Sequence, residues 1–214
     1  MVTRYDVTAV PPQGGYVAKR CPVRAQLDVL QPCEPLLGGP VAERRAAKGR
    51  LFEAEILAAV VAAHPRAVVI GEQSRLAKEQ ATVAAMAASA PLIIGARLPT
   101  DSVGRRVGEP ELLVRAAAGD YFPVDIKFHQ TLEAGDGTEP ARCSPLVDPR
   151  PEAGVERPGY SLRRRRDDLL QLAHYARMLE AAGLAAGDRR FGGVIGTECV
   201  VAWYDLDALL WKTP

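Results

Sequence analysis

Asp125 and Lys127 stand two positions apart in an otherwise largely apolar segment, residues 121–128. Side chains alternate between the two faces of a β-strand, so a strand here would place this carboxylate and this ammonium group on one face. The other face would join the hydrophobic core through Phe122, Val124, Ile126 and Phe128. An acid and a lysine on one rigid strand are suited to metal-assisted hydrolysis.

A preceding strand, residues 111–115, would bring a second carboxylate to the same place. A three-residue turn at residues 117–119, with a glycine in the left-handed conformation, is a common hairpin connection. It sets Glu111 opposite Asp125, with their Cβ atoms roughly 5 Å apart. Because two carboxylates so close repel each other, we expect a divalent cation between them. Mg²⁺ typically takes one or two carboxylates and keeps several waters.

Lys127 would lie beside this pair, where it could orient a water nucleophile or stabilise charge on a phosphate. The alternative is a solvent-facing strand with an ordinary ion pair between Asp125 and Lys127, which is what an isolated acid–x–lysine pattern usually means. The opposed Glu111 favours the metal site, but a shift of the register by one residue would remove it.

The overall composition of the chain does not by itself indicate a nucleic acid, a membrane or a metal cluster as its ligand. Its 27 basic and 26 acidic residues give a net charge of +1, so nucleic acid binding would need local clusters of charge. With no apolar run of about 18 residues and no signal peptide pattern, we expect no membrane segment and a cytoplasmic location. The cysteines form no C-x-x-C pair, which argues against a disulfide framework or an iron–sulfur cluster. They are Cys21, Cys33, Cys143 and Cys199.

Hydrophobic periodicity predicts both helices and strands. Helices are expected at residues 16–30, 41–63, 77–89 and 161–182, and strands at 67–70, 92–98, 111–115, 121–128 and 193–204. This order predicts an α/β (α+β) fold with a central mixed sheet flanked by helices. We expect a single domain over residues 1–214, with a helical or irregular extension at 1–40. Residues 129–160, rich in Pro, Gly and acids, are predicted to form a mobile loop.

Four short motifs together resemble those of one nuclease family. G-E-P-E-L-L-V-R at residues 108–115 and Y-F-P-V-D-I-K at 121–127 resemble the core of the RecB-like nucleases of the PD-(D/E)xK superfamily. G-R-L-F-E at 49–53 and Q-L-A-H-Y at 171–175 resemble the family's first and last motifs, in the right order. The resemblance implies a restriction-endonuclease-like core. The family usually has Asp where this chain has Glu111.

The resemblance also implies roles for individual residues. The implied ligands of Mg²⁺ or Mn²⁺ are three side chains and one backbone carbonyl, those of Glu53, Glu111, Asp125 and Ile126. Lys127 would be the catalytic lysine. Gln171 and Tyr175, one helical turn apart, would contact the nucleic acid backbone or brace the site.

A run of arginines is predicted to open the helix of residues 161–182. The run consists of Arg163, Arg164, Arg165 and Arg166. Cations in the first turn oppose the helix dipole, so an external anion such as a DNA phosphate could compensate for them. A solvated run of charge is the alternative. Lys19, Arg20 and Arg24 would add to a basic rim.

The sequence therefore predicts a metal-dependent DNA exo- or endonuclease that hydrolyses phosphodiester bonds in DNA repair, recombination or processing. Its expected partners are DNA and a helicase or another repair protein. One alternative is a weak or inactive module of the same fold that binds nucleic acid without cleaving it, which the departure at Glu111 favours. A third is an α/β interaction domain with no nucleic acid role, for which DNA binding would be absent or insensitive to salt.

Overall fold

The computed structural model describes residues 11–19, 22–31, 39–71, 74–185 and 190–208. Its α-helices are α1 (Pro22–Leu30), α2 (Pro40–Ala63), α3 (Arg75–Ala87) and α4 (Arg166–Ala181). Its strands are β1 (Val68–Val69), β2 (Leu92–Ile94), β3 (Leu112–Arg115), β4 (Tyr121–Ile126), β5 (Leu132–Ala134), β6 (Ala141–Pro145), β7 (Val155–Arg157), β8 (Tyr160–Leu162), β9 (Phe191–Ile195) and β10 (Val200–Asp205). Short 3₁₀ helices lie at Gly15–Lys19 and Pro151–Ala153.

One mixed sheet organises the molecule. Eight strands follow the order β1-β2-β3-β4-β9-β10-β6-β7, and β5 pairs with β8 in a separate two-stranded sheet. The pairs β1–β2 and β4–β9 are parallel and the others are antiparallel. The prediction of a mixed sheet flanked by helices is confirmed.

Helices cover the two faces of the sheet differently. On one face α2 packs Ile56 and Val60 into a core with Phe122, Val124 and Ile126 of β4. On the other face, α3 and α4 pack against the side chains that alternate with these along the strands, among them Leu113 and Tyr121. With a layer on each face, β4 is buried along its whole length. The predicted alternation of faces is present, but the polar face is covered by a helix.

The β3–β4 hairpin has the predicted register. Leu112 pairs with Val124 and Arg115 with Tyr121. At the turn, Gly119 has φ +106°, a region that glycine adopts without a steric penalty. One residue beyond the last pair, the same register sets Glu111 opposite Asp125.

Two predicted strands have different bounds in the structure. The strand predicted at 92–98 ends at Ile94, because Gly95 turns the chain with φ +69° and a Cβ there would lie 2.8 Å from the carbonyl oxygen of Ile70. The strand predicted at 193–204 is the β9–β10 hairpin, whose turn is closed by a hydrogen bond from the Cys199 amide to the Gly196 carbonyl.

The prediction of a long loop at 129–160 is wrong. This stretch contains β5, β6 and β7, and β6 adds to the main sheet beside β10 with Ala141 and Cys143 buried. The helix predicted at 161–182 begins later, at Arg166, because the preceding residues form β8. Short strands in Pro- and Gly-rich sequence depend on their partners in the sheet rather than on local pattern.

The amino-terminal extension is described only in part. Of the helix predicted at 16–30, the structure contains the 3₁₀ helix and α1. Residues 1–10, 20–21 and 32–38 lie outside the described residues, with Cys21 and Cys33 among them. In the described part of the chain, no helix combines the length and apolar character needed to cross a membrane.

Candidate active site

Glu111, Asp125 and Lys127 meet where β3 and β4 lie side by side, as predicted from their spacing. Lys127 Nζ is 3.0 Å from Asp125 Oδ2 and 3.9 Å from Glu111 Oε1. The Asp125 side chain is fully buried, and those of Glu111 and Lys127 are about one-fifth exposed. Ile126 lies between Asp125 and Lys127 in the chain, so its backbone carbonyl is at the same end of β4.

Burial and repulsion dominate the electrostatics of this cluster. Burial raises the pKa of Glu111 well above its usual value, and the charge of Asp125 raises it further, while Lys127 offsets only part of the effect. Burial alone would lower the pKa of Lys127, but the charges of Asp125 and Glu111 raise it above its usual value. When both carboxylates are ionised, they and the one ammonium group leave an excess of negative charge in a poorly solvated place; otherwise Glu111 holds a proton.

The carboxylate oxygens are poorly satisfied. Among the described residues, no hydrogen bond reaches Asp125 Oδ1 or Glu111 Oε2, although these atoms are buried. The other oxygen of Asp125, Oδ2, has the ammonium group of Lys127 at 3.0 Å. Buried carboxylates normally have such partners, and leaving one unsatisfied is costly. Hard divalent cations prefer oxygen ligands of this kind, so the pair fits Mg²⁺ or Mn²⁺.

Glu53 does not join this pair. It lies on α2, which packs on the sheet face opposite to the one where Asp125 and Lys127 meet α4. Within the described ranges, no group of three or more His, Cys, Asp or Glu side chains is arranged to hold a metal ion. The structure therefore brings together two of the three predicted acids, and the role of Glu53 as a ligand stays a prediction.

Gln171 and Tyr175 brace the acid-bearing segment from α4. Gln171 Nε2 donates to Tyr175 Oη at 2.7 Å, and Tyr175 Oη donates to the Glu109 carbonyl at 3.3 Å, two residues before Glu111. Burial raises the pKa of the Tyr175 hydroxyl, and the charge of Asp125 raises it further. Tyr175 thus stays neutral beside the acid pair.

The Tyr175 ring packs directly on the backbone at Gly108. A Cβ at Gly108 would lie 2.7 Å from ring atoms of Tyr175, well inside contact distance. Lys19 of the 3₁₀ helix donates to Gln171 Oε1, which ties the amino-terminal segment to the same network. The sequence placed Lys19 only on a basic rim. Of that rim, Arg20 and the side chain of Arg24 lie outside the described residues.

A close contact between His129 and Asp168 next to the site was not predicted. His129 Nε2 lies 2.9 Å from Asp168 Oδ2, and both side chains are largely buried. The charge of Asp168 also raises the pKa of Lys127. Only the position of His129 two residues after Lys127 could have indicated it, because its partner comes from the first turn of α4.

Only two of the four arginines lie at the start of α4, so the predicted conflict with the helix dipole is smaller than expected. Arg166 is the first residue of α4 and Arg165 its cap, and the favourable acids Asp167 and Asp168 share the first turn with them. The other two arginines precede the helix and pair with acids, Arg163 with Glu133 at 3.3 Å and Arg164 with Glu139 at 3.2 Å. DNA contacts by Arg163, Arg164, Arg165 and Arg166 stay predictions.

A cleft of about 700 Å³ is lined in part by Tyr175 and Glu109, close to the acid pair in the chain. Gln171 and Tyr175 form one wall, and the described amino-terminal residues form another. Arg97 lines it, but it pairs with Glu109 at 2.5 Å and with Glu79 at 3.8 Å. Neither Glu111 nor Asp125 lines the cleft, so it adjoins the candidate site without containing it.

Comparison of the chain with protein-family models, with curated proteins and with solved structures gives no match. The geometry of Glu111, Asp125 and Lys127 therefore carries the functional argument.

Proposed function

We propose that this chain is a metal-dependent DNA nuclease that hydrolyses phosphodiester bonds, with Glu111, Asp125 and Lys127 as its active site. The observation that carries the proposal is the pair of buried carboxylates with unsatisfied oxygens and one lysine 3.0 Å from Asp125. A site with this excess of negative charge favours a divalent cation over an empty state, because the cation satisfies the oxygens and removes their repulsion.

Glu111 and Asp125 would hold Mg²⁺ or Mn²⁺, with the Ile126 carbonyl as a further oxygen ligand. When bound, such an ion supplies Lewis acidity and lowers the pKa of a coordinated water. The longer side chain of Glu111, compared with Asp, still brings its Oε1 to 3.9 Å from Lys127 Nζ.

Lys127 would hold its proton under working conditions, since both neighbouring carboxylates raise its pKa. Its role is therefore to donate hydrogen bonds, either to a phosphate oxygen whose charge grows in the transition state or to an attacking water. Gln171 and Tyr175 would keep the segment before Glu111 in place through the Glu109 carbonyl.

The second candidate function is a nucleic acid-binding module of the same fold without cleavage. The observation that favours it is that, in the described part of the chain, no third acidic side chain joins Glu111 and Asp125 in a group that could hold a metal ion. Mg²⁺ sites with two carboxylates do occur, because this ion keeps several waters. The first proposal therefore does not need Glu53.

A cleavage assay separates these functions. Purified protein is incubated with plasmid and with end-labelled oligonucleotides in Mg²⁺, Mn²⁺ or a chelator. We expect metal-dependent cleavage that falls at least about 100-fold in Asp125→Asn and in Lys127→Met. The matched control is Asp148→Asn, which disrupts an exposed ion pair with Arg150 at 2.7 Å and should leave cleavage unchanged.

Thermal unfolding of each variant checks that it is folded. Cleavage that survives in Asp125→Asn would refute this active site. Binding of DNA without cleavage in any metal would support the binding module instead.

A further inference from the structure

The first half of α2 extends beyond the packed body. Residues 40–51 include no buried residue, whereas Ile56 and Val60 in the second half are buried. Phe52 is the first residue of the helix that packs against the core. Helices in proteins gain most of their stability from packing one face against the rest of the protein. The first three or so turns of α2 lack such packing, so their side chains are free to contact a ligand.

This exposed half is basic. It carries Arg44, Arg45, Lys48 and Arg50 against the single acid Glu43. None of the four cations forms an ion pair with any described acid, unlike Arg163 and Arg164 before α4. Their charge is therefore not balanced within the described structure.

Three of these cations share one face of α2. Arg44, Lys48 and Phe52 are spaced by four residues and form a single ridge, and Arg45 flanks it, all within an arc of about 100°. We call Arg44, Arg45 and Lys48 the basic ridge. Like charges at a spacing of four destabilise a helix, so an external anion between Arg44 and Lys48 would relieve a real repulsion.

The helix face that carries the basic ridge contacts the chain just after β4. The ring of Phe52 lies 5.4 Å from that of Phe128, the residue after Lys127. Residues before Phe52 lie beyond this contact, on the same face of the helix. A long anion that occupies the site at Lys127 would reach the basic ridge by passing around the end of β4, where Phe128 meets Phe52, to the sheet face on which α2 packs.

We infer that the basic ridge docks the phosphate backbone of a nucleic acid whose scissile phosphate lies at Glu111, Asp125 and Lys127. The position of the scissile phosphate rests on the proposed function, but the docking itself does not. A nucleic acid fits because its charges recur every ~3.4 Å along each strand, so that several cations in a row can bind neighbouring phosphates. An isolated small anion would engage at most a neighbouring pair such as Arg44 and Lys48, and not the whole row.

The test compares a triple variant, Arg44→Gln, Arg45→Gln and Lys48→Gln, with the wild-type chain. Binding of a fluorescent DNA oligonucleotide is measured by anisotropy in chelator, over a range of salt concentrations. We expect the affinity of the variant to fall roughly tenfold or more, and the slope of log K against log salt to be less steep by about 2 to 3. Gln has nearly the helix propensity of Arg and Lys, so α2 should still form.

The matched control removes three exposed cations elsewhere, Arg66→Gln, Arg157→Gln and Arg177→Gln. It changes the net charge equally and should keep nearly the wild-type affinity and slope. The inference is overturned if the two triple variants bind alike, or if poly-glutamate competes as well as DNA at equal charge. A wild-type chain that binds through the ridge but never cleaves would refute the nuclease proposal and leave the docking surface standing.

Discussion

At the scale of single residues, the acid pair combines a functional arrangement with a cost in stability. Glu111 and Asp125 are opposed across the β3–β4 hairpin, and Lys127 pairs with both of them. Without a cation, the simplest way to reduce their repulsion is to protonate one of them, and the raised pKa identifies Glu111 as that acid. The pair is thus least stable when both carboxylates are ionised and no cation other than Lys127 neutralises them.

This gives a prediction on the pH dependence of stability. In chelator, folded Glu111 binds its proton more tightly than unfolded Glu111, whose pKa is near 4.5. The free energy of unfolding should therefore fall as the pH rises from 4.5 through the raised pKa, by about 1.4 kcal/mol per unit of pKa difference. Glu111→Gln should remove this fall, and urea unfolding across the pH range measures it.

Below pH 4.5 the titration of Glu111 does not change the difference in free energy of unfolding between the wild type and Glu111→Gln. Above the raised pKa, the free energy of unfolding of the variant should rise relative to that of the wild type. Glu55→Gln, at an exposed acid of α2, is the control and should follow the wild-type curve. Parallel curves for wild type and Glu111→Gln would contradict the assignment.

At the scale of elements, contact between α4 and the segment before β3 keeps the site in place. The Tyr175 ring lies on Gly108, and its hydroxyl donates to the Glu109 carbonyl. Gly108 is needed here for lack of space, since its backbone does not have a positive φ. The predicted motif contained Gly108, but the reason for a glycine there is the Tyr175 ring, which only the tertiary packing of α4 brings to this position.

Two glycine substitutions test this contact. Gly108→Ala should lower the free energy of unfolding by about 1–3 kcal/mol, because the new Cβ would be 2.7 Å from the Tyr175 ring. Gly49→Ala, in the exposed half of α2 with nothing within 4 Å of the new Cβ, should raise it by roughly 0.5–1 kcal/mol. Denaturant unfolding measures both changes.

A double-mutant cycle with Tyr175→Ala attributes the cost. If the ring is the obstacle, Gly108→Ala should cost much less in that background. An unchanged cost would mean that the backbone, and not Tyr175, limits the space at Gly108.

At the scale of the whole molecule, metal binding and folding should be linked. The unfolded chain does not hold Glu111 and Asp125 together, so an ion that binds the folded pair stabilises the fold. The gain is about 2.7 kcal/mol when the free metal exceeds its Kd by 100-fold. Because the ion replaces the proton on Glu111, the gain should be larger at pH 8 than at pH 5.

A thermal shift assay measures this linkage. The melting temperature of the wild-type chain should rise with Mn²⁺ or Mg²⁺ concentration and level off, and Asp125→Asn should lose most of the rise. Asp148→Asn should keep it, since that exposed carboxylate is paired with Arg150. An equal rise in Asp125→Asn would mean that the ion binds elsewhere.

The sequence by itself determined the local part of the candidate site. Alternation in β4, a left-handed glycine at 119 and a short turn are properties of neighbouring residues, and together they set the register that opposes Glu111 and Asp125. The bounds of α2 were predictable for the same reason, because hydrophobic residues at helical spacing are a pattern of neighbouring residues.

Only the tertiary structure decided what surrounds that hairpin. The burial of Asp125 depends on a helix more than forty residues away, and the pairing of His129 with Asp168 joins two elements that share no local pattern. The helix that carries Glu53, α2, packs on the sheet face opposite to Asp125, which no spacing within α2 reveals. β6 forms because it pairs with β10 in the sheet, a contact between residues far apart in the chain. Its own sequence has no strong strand pattern, which is why it resembled a loop.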